Sequence, residues 1–229
     1  MKGSEDPETR DQQTGFCKDR SFTDQIATLR IIVEHSVEWN SLQYINIIDY
    51  VAFDSVDMRT LWNLLRHYGV PDKIFNIIRN PHCKVVHGGQ LTDELHVRTG
   101  IRQGCLLSFF LFLLMIDWIV KISISEGKHG IRWAAWMQLR DLNFADELTL
   151  LSYTHEQVQM KATSVIAASA SVGLSIHKGK SKILKYNTEN ANPITLGEAL
   201  EDVESLTSLG SIIDEQGRSD ADVKARIGK

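Results

Sequence analysis

The sequence predicts an α+β domain of the split β-α-β-β-α-β plan, an antiparallel sheet with two helices on one face. Two observations carry that expectation. Short β-rich apolar segments recur at Tyr44–Ile48, Leu142–Ser152 and Lys180–Tyr186, and between them lie long segments at helical spacing, residues 104–125 and 155–172. Read in chain order, these give strand, helix, hairpin, helix, strand. Many unrelated activities share this plan, so function has to be argued from side chains.

Each element has a local reason. From Ser21, apolar Ile26, Leu29, Val33 and Val37 keep helical spacing behind a capping-box-like Ser21 and Asp24. Tyr44–Ile48 is a buried strand that ends on Asp49. Asp57–Tyr68 is a helix with Asp57 at its N-cap and Leu61, Leu64, Leu65 and Tyr68 inward, and Gly69 stops it. Pro71 opens a short helix to Asn80. The segments CKVVH and QLTDELHV flank Gly88-Gly89 as a hairpin. Gln103-Gly104 opens the most apolar helix. Its run Cys105–Ile116 is broken by Asp117 and falls short of the roughly 20 residues a bilayer needs, so it reads as core. Leu142–Ser152 is two strands with Ala145-Asp146-Glu147 as their tip. Gly173 ends the following helix, and Val203–Asp214 forms a terminal hairpin.

Composition sets the outer limits. With 229 residues, 43% of them hydrophobic and 24% charged, the chain can bury a core, and global disorder is excluded. Cys17, Cys83 and Cys105 are three, odd and far apart, which fits a reduced intracellular protein better than a disulfide framework. The polar start lacks the apolar run of a signal peptide, so an intracellular protein, of nucleus or cytoplasm and not secreted, is the expectation. Net charge is −4, which argues against binding nucleic acid over the whole surface. The charge is unevenly spread. Residues 95–140 hold six Lys/Arg against two acids, whereas residues 198–222 hold eight acids against one Arg.

Asp49 closes a buried strand, and Asp146-Glu147 sits at a hairpin tip that lacks the usual Gly or Asn. The split plan brings these carboxylates together. Clustered carboxylates raise one another's pKa unless a cation neutralises them, and oxygen donors suit Mg²⁺ or Mn²⁺. Two such ions can align a hydroxyl and a triphosphate for in-line transfer. The alternative is that Asp146-Glu147 is only a polar turn.

Five segments, in order, extend the argument: IIDYVAFDSVD (Ile47–Asp57), TGIRQGCLLS (Thr99–Ser108), FADELTLLS (Phe144–Ser152), GLSIHKGKSKIL (Gly173–Leu184) and VESLTSLGSIID (Val203–Asp214). They resemble the successive palm motifs of the reverse transcriptase of non-LTR (LINE-like) retrotransposons, and GFCKDRSFTDQI (Gly15–Ile26) resembles the family's fingers motif. The resemblance implies a polymerase palm with partial fingers and no thumb. It divides the chain into a disordered 1–14, fingers at 15–43 with insertions near 57–98, a palm at 44–192 and a terminal hairpin and linker at 193–229.

It further implies RNA-directed DNA polymerase activity on an RNA template and DNA primer with deoxynucleoside triphosphates and two Mg²⁺ (or Mn²⁺) ions, and no membrane partner. Asp49 and Asp146 match the metal-binding aspartates, with Glu147 where the family usually has another Asp. Phe53 matches the aromatic facing the incoming sugar. Arg102, Gln103 and Gly104 match the segment that positions the nascent pair, Arg20 matches the fingers arginine, and Lys180 matches the lysine that approaches the triphosphate as a general acid. Without the resemblance, Phe53 reads as core and Lys178, Lys180, Lys182 and Lys185 as a solvated face.

The chain also departs from the pattern. Only three residues separate Asp49 from Phe53 where four are usual, and in an extended segment that difference turns the next side chains to the opposite face. Phe109 replaces a proline, Cys17 an arginine, His177 an asparagine and Ser208 an aromatic. Glu147 carries its carboxylate about 1.5 Å further than Asp would. A catalytically impaired remnant that keeps the palm fold therefore stands as the alternative to an active polymerase.

Overall fold

The structure, a computed structural model, describes residues 22–51, 56–73, 76, 82–83, 86–87, 90–91, 95–96, 106–124, 130–134, 137–188 and 190–214. It is mixed α/β. Helix α1 spans Phe22–Glu38, strand β1 Gln43–Asp49 and helix α2 Met58–His67. Short strands β2 (His82–Cys83), β3 (Val86–His87), β4 (Gln90–Leu91) and β5 (Leu95–His96) precede α3 (Leu106–Ile124). There follow β6 (Ile131–Ala134), β7 (Met137–Leu139), β8 (Asp141–Phe144), β9 (Glu147–Ser152) and α4 (His155–Ser171). The chain then forms β10 (Lys182–Tyr186), β11 (Glu201–Asp202), β12 (Ser205–Ser208) and β13 (Ser211–Asp214).

The main sheet runs in the order β11-β10-β1-β9-β8. Strand β1 is antiparallel to both β10 and β9, and only the edge strand β11 pairs in parallel, with β10. Because side chains alternate across a strand, β1 feeds two cores. Tyr44 and Ile48 join Leu148, Leu150 and Ile183 beneath α2, α3 and α4. Ile45 and Ile47 face the other way, with Leu151 and Leu184, against α1 and the β12–β13 hairpin. The sheet is therefore sandwiched: three helices cover one face, and a helix and a hairpin cover the other.

The apolar run in α3 is core, as its pattern predicts. Leu111, Phe112, Met115, Ile116, Ile119 and Val120 are buried, and the buried Asp117 accepts a hydrogen bond from the Tyr68 hydroxyl at 2.9 Å. Among the described residues no helix is long and apolar enough to cross a membrane. Val37 departs from the expected inward face of α1 and is 42% exposed, because it lies in the last turn, beyond the part of the helix that the second core covers. The pairing of β3 with β4 flanks residues 88–89, as the hairpin signal requires. The strand placed at 180–186 begins only at Lys182, since residues 178–180 form a turn that hydrogen-bonds back to His177. Strands β6, β7 and β11 have no counterpart in the sequence reading.

Helix α2 starts as its sequence dictates. Asp57 caps it by accepting from the Thr60 N–H at 2.9 Å. That cap packs against the end of α4, where Gly173 has φ +71. A Cβ built on Gly173 would lie 2.6 Å from the Asp57 Cβ. Gly173→Ala combines a left-handed backbone with a clash, so we expect a loss of about 2 kcal/mol of stability in urea unfolding. A variant as stable as the parent would show that the α4–α2 junction yields.

Candidate active site

The carboxylate end of the sheet is built from three pieces of backbone. Strand β1 ends at Asp49, and the ladder sets Asp49 directly opposite Glu147, the first residue of β9. Glu147 is thus a strand residue and not part of the turn, a correction to the three-residue tip. The turn between β8 and β9 is Ala145-Asp146, and Ala145 takes the positive φ of +51 that a glycine would take without strain. The Tyr50 N–H reaches the Asp146 carbonyl at 2.9 Å, which fastens this turn beside Asp49.

The third piece is the loop leaving α4. His177 N–H donates to the Asp49 carbonyl at 2.7 Å, and Asp49 N–H donates to the Ser181 hydroxyl oxygen at 3.2 Å. Val51 N–H donates to the Ser175 carbonyl at 2.8 Å. The turn closed by Lys180 N–H on the His177 carbonyl brings the Lys180 ammonium within 3.9 Å of an Asp49 carboxylate oxygen. The sequence reading missed Ser181 and the backbone role of His177. Their signal lay in the tight His-Lys-Gly-Lys-Ser stretch, whose turn carries them to the end of β1.

Electrostatics follow from this crowding. Burial pushes the Asp49 pKa up. Lys180 pulls it back, Asp146 adds to the rise, and His177 opposes it. Glu147 is also raised, first by burial. Hydrogen bonds from the Ser208 hydroxyl and the Leu209 N–H oppose this, while the charges of Asp49 and Asp146 reinforce it. Like charges opposed across a ladder repel, and here each has its own partner: Lys180 for Asp49, the Ser208–Leu209 turn for Glu147.

The lysines of the 178–185 segment are largely solvated, as expected, with Lys178 and Lys180 exposed and only Lys185 covered, and three of them also carry acidic partners. Lys178 pairs with Glu198 at 2.6 Å, Lys182 with Glu201 at 3.1 Å and Lys185 with Asp202 at 2.8 Å. The acid-rich segment after α4 folds back along β10 and neutralises them. Lys180 alone of the four faces Asp49.

Among the described residues no three His, Cys, Asp or Glu side chains are gathered as a ready-made ligand set. The donor chemistry still fits a hard divalent cation. Asp49 and Asp146 offer carboxylate oxygens from adjoining backbone, and their mutual repulsion is what such a cation would relieve. Phe53, Arg102, Gln103, Gly104 and Arg20 lie outside the described residues.

The sequence model described as "Reverse transcriptase (RNA-dependent DNA polymerase)" matches residues 4–213. The chain belongs to this reverse transcriptase family. Its relatives specify the branch. The Pol polyprotein of the type-1 retrotransposable element R2 of Popillia japonica is 25% identical over 159 residues, covering 66% of this chain and 26% of that protein. That of the type-2 element R2DM of Drosophila melanogaster is 25% identical over 174 residues, covering 74% and 16%. The R2 protein of Nasonia vitripennis is 28% identical over 183 residues, covering 73% and 17%. The chain is thus a reverse transcriptase domain of the non-LTR retrotransposon kind, and its match spans about a quarter or less of these relatives' length.

The fold agrees. Apo telomerase of Candida tropicalis, truncated from its C-terminal domain, superposes with a TM-score of 0.62 at 13% identity over 91% of this chain and 41% of that one. A second apo telomerase structure of the same organism gives 0.56, also at 13% identity, over 92% and 37%.

Proposed function

We propose that this reverse transcriptase domain is an RNA-directed DNA polymerase that extends a DNA primer along an RNA template. The observation that carries the reading is the ladder register. It sets Asp49 opposite Glu147, with the Asp146 turn hydrogen-bonded alongside and Lys180 facing Asp49. The order β10-β1-β9-β8, with α3 and α4 on one face, supports a palm of the split β-α-β-β-α-β type.

In this reading Asp49 and Asp146, with Glu147 beside them, would hold two Mg²⁺ (or Mn²⁺) ions. Bound metal would supply charge neutralisation and alignment for in-line phosphoryl transfer. The protein's own work is positional. Ser181 and His177 fix the Asp49 N–H and carbonyl from one side and the Tyr50–Asp146 bond fixes the other, so its carboxylate presents without a search. Lys180, largely exposed and 3.9 Å from Asp49, would present its ammonium to a triphosphate held there and donate a proton to the leaving pyrophosphate. Phe53, Arg102, Gln103, Gly104 and Arg20 take their nucleotide-facing roles from the motif resemblance. The odd, scattered cysteines support work inside the cell, in nucleus or cytoplasm.

The test is primer extension on an RNA template with Mg²⁺ and then Mn²⁺, with Asp146→Ala as the blank. Extension by the parent that disappears in the variant supports the reading. A folded parent that extends nothing, in either metal, overturns it and leaves the alternative, a palm without its chemistry. That alternative draws on one observation: the Glu147 carboxylate is bonded to the Ser208–Leu209 turn.

A further inference from the structure

Glu147 differs from the family's usual Asp by one methylene, about 1.5 Å of reach. Its use is visible on the second face of the sheet. The β12–β13 hairpin packs there through Leu206 and Ile213. Its two-residue turn, Leu209-Gly210, has φ +49 and +77, and Leu209 is not the glycine such a conformation favours. At that turn the fully buried Ser208 hydroxyl donates to Glu147 Oε1, and the Leu209 N–H donates to the same carboxylate. A hydrogen bond to a charged acceptor is stronger than a neutral one, and this pair meets a backbone held in an unfavourable region. An Asp at 147, starting from the same place in β9, falls short of the turn by that methylene.

We propose that Glu147 is a positioning residue. Its carboxylate ties the β12–β13 turn to the first residue of β9, directly across the ladder from Asp49, and so sets the hairpin as a wall beside the carboxylate end of the sheet. This rests on the reading of that end as the place where a primer–template is held. Glu147 and Ser208 are then one device. The longer acid and the small hydroxyl at 208, where the family has an aromatic, are complementary in reach and volume. Read as separate departures, both look like decay; together they make one contact.

The test compares Glu147→Asp, Glu147→Gln and Ser208→Ala in the full chain, without metal. Hydrogen exchange over residues 205–214 reads the tie. Glu147→Asp and Ser208→Ala should each speed exchange about tenfold, and the double variant should add little to either. Glu147→Gln, whose amide oxygen still accepts, should stay within about threefold of the parent. Anisotropy with a labelled RNA–DNA hybrid reads the consequence. Affinity should fall about fivefold for Asp and Ala and hold for Gln, a pattern that a tie serving stability alone would not give.

Two results overturn the proposal: a hairpin still protected in Glu147→Asp and Ser208→Ala, or one released equally by Asp and Gln. Unchanged hybrid affinity in variants whose hairpin is released overturns the positioning role. If the exchange and affinity contrasts hold while the parent extends no primer, the polymerase reading fails and the role of Glu147 stands.

Discussion

Asp49→Asn should lower primer extension at least about a hundredfold, roughly 3 kcal/mol in the barrier, while leaving the fold slightly more stable. The two effects have opposite signs because the same charge serves one and opposes the other. Asp49 is desolvated and repelled by Asp146, which raises its pKa against the pull of Lys180 and His177, and it stands across the ladder from Glu147. Asn keeps the backbone bonds to Ser181 and His177, which involve only the Asp49 N–H and carbonyl. It loses a partly exposed 3.9 Å pairing with Lys180, which contributes little.

Relief of a cross-strand like-charge pair is worth up to about 1 kcal/mol. The sign with pH is set by the direction of the shift. A carboxyl whose folded pKa lies above its unfolded value makes the fold most stable below the unfolded value, near 3.8 here, and loses that contribution as pH rises through the folded one. The parent should therefore weaken relative to Asp49→Asn as pH rises from about 4 to 7. Urea unfolding at both pH values, beside an extension assay, checks this. A variant that is less stable than the parent at about pH 7 would mean that the Lys180 pairing outweighs the repulsion.

The parts of this molecule legible in its sequence are those governed by period and by caps. The short β-rich apolar run Tyr44–Ile48, the apolar run of α3 and the Asp57 cap specify their elements locally, and the structure keeps all three. Asp49 at a strand end is readable for the same reason. Glu147 is not. Both a two-residue and a three-residue turn fit the string Ala-Asp-Glu, and the pairing of Phe144 with Glu147, continued in the register against β1, decides between them. The ion pairs of the lysines are hidden for a different reason. Their partners, Glu198, Glu201 and Asp202, arrive through the parallel edge strand β11 and the loop before it, a long-range pairing with no local signature. The acid-rich segment and the lysine run are each plain in the string; topology alone joins them.

Raising the pH from about 7.5 to 10 should stabilise the parent by roughly 2 kcal/mol relative to Lys161→Met, out of roughly 3 kcal/mol over the whole titration. Lys161 is 5% exposed on α4 and donates to the Leu151 carbonyl at 2.6 Å and the Arg140 carbonyl at 3.1 Å. Those two carbonyls belong to one irregular spot, where Arg140 separates β7 from β8 opposite the end of β9, and the ammonium joins them to the helix. Burial pushes its pKa down to about 8 from 10.5; Asp141 resists that fall and Arg140 adds to it. For a base whose folded pKa is lowered, the unfolded chain holds more protons between the two values. Stability therefore climbs as pH rises through that window and is lost as pH falls back toward 8. Methionine fills similar volume with nothing to titrate, so other lysines and tyrosines cancel between the two proteins. Stability curves that run parallel from about pH 7.5 to 10 would show that the Lys161 ammonium is better solvated than its burial implies, and that its two carbonyl bonds compensate the charge.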